Sequence, residues 1–160
     1  MKVCEEFYIN GEWVKPVNGL KTLDVINPAT EEVFGRIALG DKDDVDAAVE
    51  AAYSAFETFG FSSVEERISL LEKILEVYQG KYDEIAETIS SEMGAPIGLS
   101  KAAQAATGLG HFSTALETLK NYKFEEVKGS ALIRKEPIGV VGMITPWNWP
   151  INQISCKEGP

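Results

Sequence analysis

Apolar and polar positions alternate over residues 7–14, FYINGEWV, on either side of Asn10-Gly11. A period of two marks strands, and an Asn-Gly pair is the strongest short hairpin signal because both residues accept a positive φ. Residues 23–38 repeat the arrangement as LDVIN, a turn at Pro28 to Glu31, and EVFGRIA. The chain is therefore predicted to open with two small hairpins that act as a packing platform. At Asp41 the period lengthens. Val45, Ala48, Val49, Ala52 and Phe56 recur at helical spacing and share one face. Asp41 is the predicted N-cap, Asp43 and Asp44 favour the first turn, and Gly60 ends the helix.

Ser63 and Glu66 form a capping box at the head of a second helix. Its apolar stripe is Ile68, Leu71, Leu75, Tyr78, Tyr82, Ile85 and Ile89, and runs to about Met93. Gly80 lies inside the stripe and costs about 1 kcal/mol relative to Ala, so a bend or break is predicted there. Gly94 followed by Pro96 is a stop signal. A third helix is predicted from Ile97 to Asn121. Ala102, Ala103, Ala105, Ala106, Gly108 and Gly110 in its first half leave room for another element to approach closely.

Residues 124–136, FEEVKGSALIRKE, read as two short strands around Gly129-Ser130. The first is polar and thin, as an edge or arm would be. The next stretch, residues 138–150, is IGVVGMITPWNWP. Ile138, Val140, Val141, Met143 and Ile144 form a nearly uncharged run, predicted to be a strand buried on both faces as in a parallel sheet. Pro146 and Pro150 stop regular pairing. Trp147, Asn148 and Trp149 then lie on a loop at the strand's carboxyl end, where open α/β sheets bind ligands. An amide held between two prolines and two indoles is a candidate oxyanion donor. Taken alone, such an Asn more often serves only to turn the loop.

The chain has 160 residues and a net charge of −10. Its acidic residues are spread over helix faces, which argues against a nucleic-acid backbone as partner. Cys4 and Cys156 lie at opposite ends, in neither metal nor disulfide spacing. No signal pattern and no apolar run of membrane-spanning length is present, so a soluble cytoplasmic protein without a membrane partner is expected. Gly108-Leu109-Gly110 follows a helix and lacks a third glycine, so it is no dinucleotide fingerprint. His111, the only histidine, reads as structural. Cys156 beside Lys157 reads as a buried, inert thiol. The sequence contains no internal repeat.

The strand ending in Thr145-Pro146-Trp147-Asn148, with Pro150 after it, resembles the aldehyde dehydrogenase superfamily. Tyr8-Ile9-Asn10-Gly11-Glu12-Trp13, Asn27-Pro28-Ala29-Thr30-Glu31 and Glu92-Met93-Gly94-Ala95-Pro96 resemble other segments of that family, in its order. The resemblance covers residues 7–157, and Glu158-Gly159-Pro160 fit it poorly. It implies an α/β fold in which hairpins and helices lead into the first strand of a Rossmann-like parallel sheet, left incomplete here. It also implies three parts. Residues 1–122 would be the N-terminal part of a cofactor-binding domain, 123–136 an oligomerisation-type hairpin arm, and 137–160 the first strand and Pro-Trp-Asn loop of a truncated Rossmann-like unit.

The implied function is oxidation of a small-molecule aldehyde to a carboxylic acid with NAD or NADP. By resemblance, Asn148 donates its amide to the oxyanion formed when a cysteine thiolate attacks the aldehyde. Ile144, Thr145, Pro146 and Trp147 match positions that line the cofactor groove, and Trp149 reads as a core aromatic. Val25 and Glu92 match positions near a monovalent-cation site of some members, but two ligands are too few and no metal is expected. The arm implies a homo-oligomer, a dimer or tetramer. The family's nucleophilic cysteine, general-base glutamate and cofactor lysine belong downstream and have no counterpart here. The 160 residues alone are thus expected to be inactive, and marginally stable or prone to associate. The alternative expectation is a truncated, non-catalytic interaction or structural module of the same family.

Overall fold

The computed structural model describes residues 2–159. Both opening hairpins are present. β2 (Phe7–Ile9) and β3 (Glu12–Val14) pair antiparallel, with Asn10 and Gly11 at φ 53° and 81° in the turn. β4 (Lys21–Ile26) and β5 (Val33–Leu39) also pair antiparallel. At their turn Asn27 Oδ1 accepts from the Ala29 amide at 2.9 Å. β1 (Lys2–Cys4) adds a parallel strand to β5, giving a three-stranded sheet ordered β1-β5-β4. Nothing in those three residues signals this pairing, because a period of two cannot be read from so short a run.

The helices begin where their caps place them. α1 (Lys42–Phe59) is closed by a capping box between Asp41 and Asp44. Asp44 is buried, and its second oxygen accepts from the Val17 amide at 2.8 Å, which ties the hairpin linker to the helix. α2 (Val64–Gly80) starts with the Ser63–Glu66 box. The apolar stripe then breaks after Gly80, and α3 (Tyr82–Met93) follows. Gly94 caps α3 at φ 75°, and a Cβ there would meet Pro28 Cγ at 2.6 Å. Backbone and packing both require glycine.

The third predicted helix is interrupted. A short turn α4 (Ile97–Leu99) runs into a π-helical segment over Ser100–Gln104, closed by the Ala105 amide donating to the Ser100 carbonyl. α5 (Ala105–Asn121) then continues. The buried cluster is Leu71 and Tyr78 of α2 with Phe112 and Leu116 of α5. The Tyr78 hydroxyl donates to the Ala105 carbonyl at 2.7 Å, and its ring lies over Gly108. Burial, and secondarily Tyr82, pushes the Tyr78 phenol up to about 12, so it remains a donor at neutral pH.

β6 (Glu125–Lys128) and β7 (Ala131–Arg134) form the arm, and all of their residues are exposed. Its root is fixed by Phe124, whose ring packs against Tyr122 at 4.9 Å with the Arg67 guanidinium 5.7 Å away.

Two expectations for the last 25 residues are corrected. Residues 135–146 form no strand: past Lys135, no strand among the described residues pairs with them. Ile138 and Ile144 are 93% and 94% exposed rather than buried on two faces. A strand exists only where a ladder partner does, and an apolar pattern reports a segment's preference, not its neighbours. The α/β class itself stands. Pro150, expected only to stop strand pairing, is also the first residue of a helix that was not expected, α6 (Pro150–Glu158), where its missing N–H costs nothing.

Two outcomes test this packing. A Cβ at Gly108 would meet the Tyr78 hydroxyl at 2.2 Å, whereas at Gly110 it would meet nothing within 4 Å. In urea melts, Gly108→Ala should therefore be destabilised by about 1–3 kcal/mol of overpacking, partly offset by helix propensity. Gly110→Ala should gain up to about 1 kcal/mol. The second outcome concerns acid. Hydrogen bonds from Asn18 and from the Asp43 backbone hold the Asp41 carboxyl below its ordinary value. Those from the Ser63 backbone and hydroxyl do the same for Glu66. Both caps then stabilise the fold fully above the ordinary carboxylate range, and lose that contribution as pH falls through their lowered values. The Tm deficit of Glu66→Ala relative to the parent should be present at pH 7 and shrink below about pH 4.

Candidate functional site

The Pro-Trp-Asn loop is held at the head of α6. Trp149 takes a left-handed conformation (φ 52°, ψ 52°), and its carbonyl accepts from the Gln153 amide at 3.1 Å. For a bulky residue this backbone is uncommon, and it persists because the elements around it fix the path. α6 in turn lies on α5. Ser155 is fully buried and its hydroxyl donates to the Ile151 carbonyl at 2.6 Å. Ile151 packs against the Leu71–Tyr78–Phe112–Leu116 cluster. Gly159 sits so close that a Cβ there would stand 3.2 Å from Ala115 Cβ. His111 Nε2 lies 2.7 Å from Asn152 Oδ1.

Against this support, the candidate residues face outward. Asn148 is exposed, and its side chain makes no hydrogen bond among the described residues, so both amide hydrogens are free. Ile144, Thr145 and Pro146 are exposed, and Trp147 is 80% exposed. These five positions are adjacent because they are consecutive. Residues 137–156 contain no Asp, Glu, Lys, Arg or His. A neutral donor in an uncharged stretch can stabilise negative charge on an oxygen without repelling an incoming thiolate. Two shallow depressions, one on α5 near Ser113 and Glu117 and one between the β2–β3 turn and α1, are not lined by residues 144–149.

Other candidates settle differently. Trp149 is 37% exposed at the loop rather than in the core. Cys156 is half-buried rather than buried, with its thiol directed at the Gln153 carbonyl and the Lys157 ammonium 4.0 Å away. That ammonium is shared with the Gln153 carbonyl at 3.0 Å. Val25 is half-buried on β4 and Glu92 exposed on α3. His111, read as structural, holds α6 together with Asn152 and Ser155, two residues that escaped the sequence reading. Pro150 followed by Ile151, Ile154 and Ser155 at helical spacing was the available signal.

Comparison with known proteins places this arrangement. Residues 13–160 match the sequence profile of the aldehyde dehydrogenase family, and the chain belongs to that family. The match extends through residue 160, beyond the expected limit of 157. The chain is 48% identical over 161 residues to a 3-succinoylsemialdehyde-pyridine dehydrogenase from a Pseudomonas species, covering 100% of this chain and 34% of that protein. It is 53% identical over 150 residues to a putative aldehyde dehydrogenase of Staphylococcus aureus, covering 94% and 31%. Among solved structures, an aldehyde dehydrogenase from Bartonella henselae superposes with a TM-score of 0.93 at 43% identity, over 97% of this chain and 33% of that one. A mutant of aldehyde dehydrogenase C from Pseudomonas syringae, solved with NAD+ and octanal, gives 0.92 at 41% identity over 95% and 31%. The chain thus spans about a third of the length of these relatives. No helix among the described residues is long and apolar enough to cross a membrane.

The support for the loop can be tested at Ser155. Ser155→Leu should overpack the α5–α6 contact, costing about 1–3 kcal/mol, while Ser155→Ala leaves it seated. Hydrogen exchange of the amides at 150–158 should accelerate in the first variant and stay near the parent in the second.

Proposed function

We propose that these residues are the N-terminal portion of an NAD(P)-dependent enzyme that oxidises an aldehyde to a carboxylic acid, with Asn148 as an oxyanion donor. The observation that carries this reading is the free, exposed Asn148 amide, set in an uncharged loop whose exit is fixed by α6. The family supplies the chemistry: a cysteine thiolate adds to the carbonyl carbon, and negative charge collects on the carbonyl oxygen. Asn148 donates to that oxygen as the charge forms, and again when water attacks the thioester. NAD(P), when bound, accepts the hydride. Residues 144–147 suit the cofactor's approach, because Ile144 and Trp147 offer exposed apolar surface and no strand among the described residues pairs with the backbone of 135–146. The Pseudomonas syringae relative solved with NAD+ and octanal supports an NAD(P)-linked reaction of an aldehyde.

Two further assignments belong to this reading. The exposed β6–β7 hairpin pairs with a second copy, giving a homodimer or homotetramer. The free thiols of Cys4 and Cys156 accord with work in the reducing cytoplasm.

The test uses the enzyme expressed from the complete gene. Aldehyde-dependent formation of NADH or NADPH is expected in the parent. Asn148→Ala should lower the single-turnover rate by about 10²–10³ and leave the Kd for the cofactor nearly unchanged. A parental rate in that variant removes Asn148 from the mechanism. A parent without aldehyde-dependent turnover favours the non-catalytic module.

A further inference from the structure

α6 carries no side-chain cap at its N-terminus, and Trp149 at its head is in the left-handed region. The end of the helix nearest Asn148 must therefore be held from outside. Ile151 sets its depth by packing on the core cluster, but an apolar contact is not directional and tolerates small rotations about the helix axis. Ser155 and Gly159 seat the later turns, away from the loop. One side-chain hydrogen bond among the described residues joins the first turn of α6 to α5: His111 Nε2 to Asn152 Oδ1, 2.7 Å, across 41 residues of sequence. With Asn152 Oδ1 accepting, Nε2 carries the hydrogen. His111 is half-buried in the middle of α5, a helix fixed in turn by Tyr78 on Gly108. This chain's only histidine thus lies on the path from the rigid core to the loop.

We propose that His111 is a positioning residue for the oxidation reaction, orienting the Asn148 amide through its hydrogen bond to Asn152; this rests on the reading of Asn148 as the oxyanion donor. A hydrogen bond to the side of α6 fixes its rotation. Asn148 precedes the helix by two residues, so a small rotation of α6 displaces the amide from the oxygen it serves. Displacements of about 1 Å remote from the chemistry can cost on the order of a hundredfold in rate.

The experiment is a mutant cycle on the enzyme from the complete gene, read as single-turnover rate and cofactor Kd. His111→Leu should slow the reaction by about tenfold or more, with the cofactor Kd unchanged. His111→Gln, whose amide can donate from nearly the same place, should recover most of the rate. In an Asn148→Ala background His111→Leu should cost nothing further, because the group it orients is gone. If His111→Leu does not fold, Asn152→Ala removes the same bond from its other end and should give the same pattern. A parental rate in the His111 and Asn152 variants, a His111→Gln enzyme no faster than His111→Leu, or a full additive loss in the double variant would each overturn the role of His111. A parental rate in Asn148→Ala alone overturns the underlying reading of Asn148, and is distinguished by that arm.

Discussion

The seat of Tyr78 on Gly108 is the contact from which the rest of the site is held. At this point α2 approaches α5 closely enough that a single methyl group would collide with the phenol. The hydroxyl is satisfied by the Ala105 carbonyl, at the residue where the π-helical segment hands over to the regular helix. An inserted π turn changes which residues of the following helix share a face, and such turns are uncommon outside functional regions. Here that phase presents Gly108, Phe112 and Leu116 to the interior, alongside Ala115 and His111 for α6. The helix pair, and then α6, are assembled outward from this one approach.

The parts of the fold legible in the sequence were those specified by neighbouring residues. Asn10-Gly11 determines its turn because few residues accept two successive positive φ values. Ser63 with Glu66, and Asp41 with its first turn, determine helix starts because the donors they satisfy lie within three residues. The parts that were not legible depend on something remote. β1 is a strand only because β5 has a free edge beside it. Residues 138–144 have the composition of a buried strand and remain unpaired for want of a neighbour. The break between α2 and α3 was anticipated at Gly80, but the π turn was not, since no residue type marks it.

The site divides in the same way. The Pro-Trp-Asn loop was readable, because two prolines and two indoles confine an amide locally. The means of holding it was not. His111 and Asn152 pair across two helices, and neither residue carries a local sign of the other. The helix that begins at Pro150 was missed for a related reason. A proline ends a strand and begins a helix with the same ring, and only the residues that follow decide which.

The unpaired run at 138–144 is anchored on both sides: at one end by the aromatic root of the arm, where the Lys135 amide donates to the Phe124 carbonyl, and at the other by docked α6. A backbone tethered at both ends has already surrendered part of the freedom that a loose chain would lose on pairing, which is on the order of 1–2 kcal/mol per residue. It therefore acts as a template with two open flanks, on which further strands can be laid in fixed register. The same openness makes it a hazard: wherever those flanks stay bare, two molecules can zip together through them and aggregate.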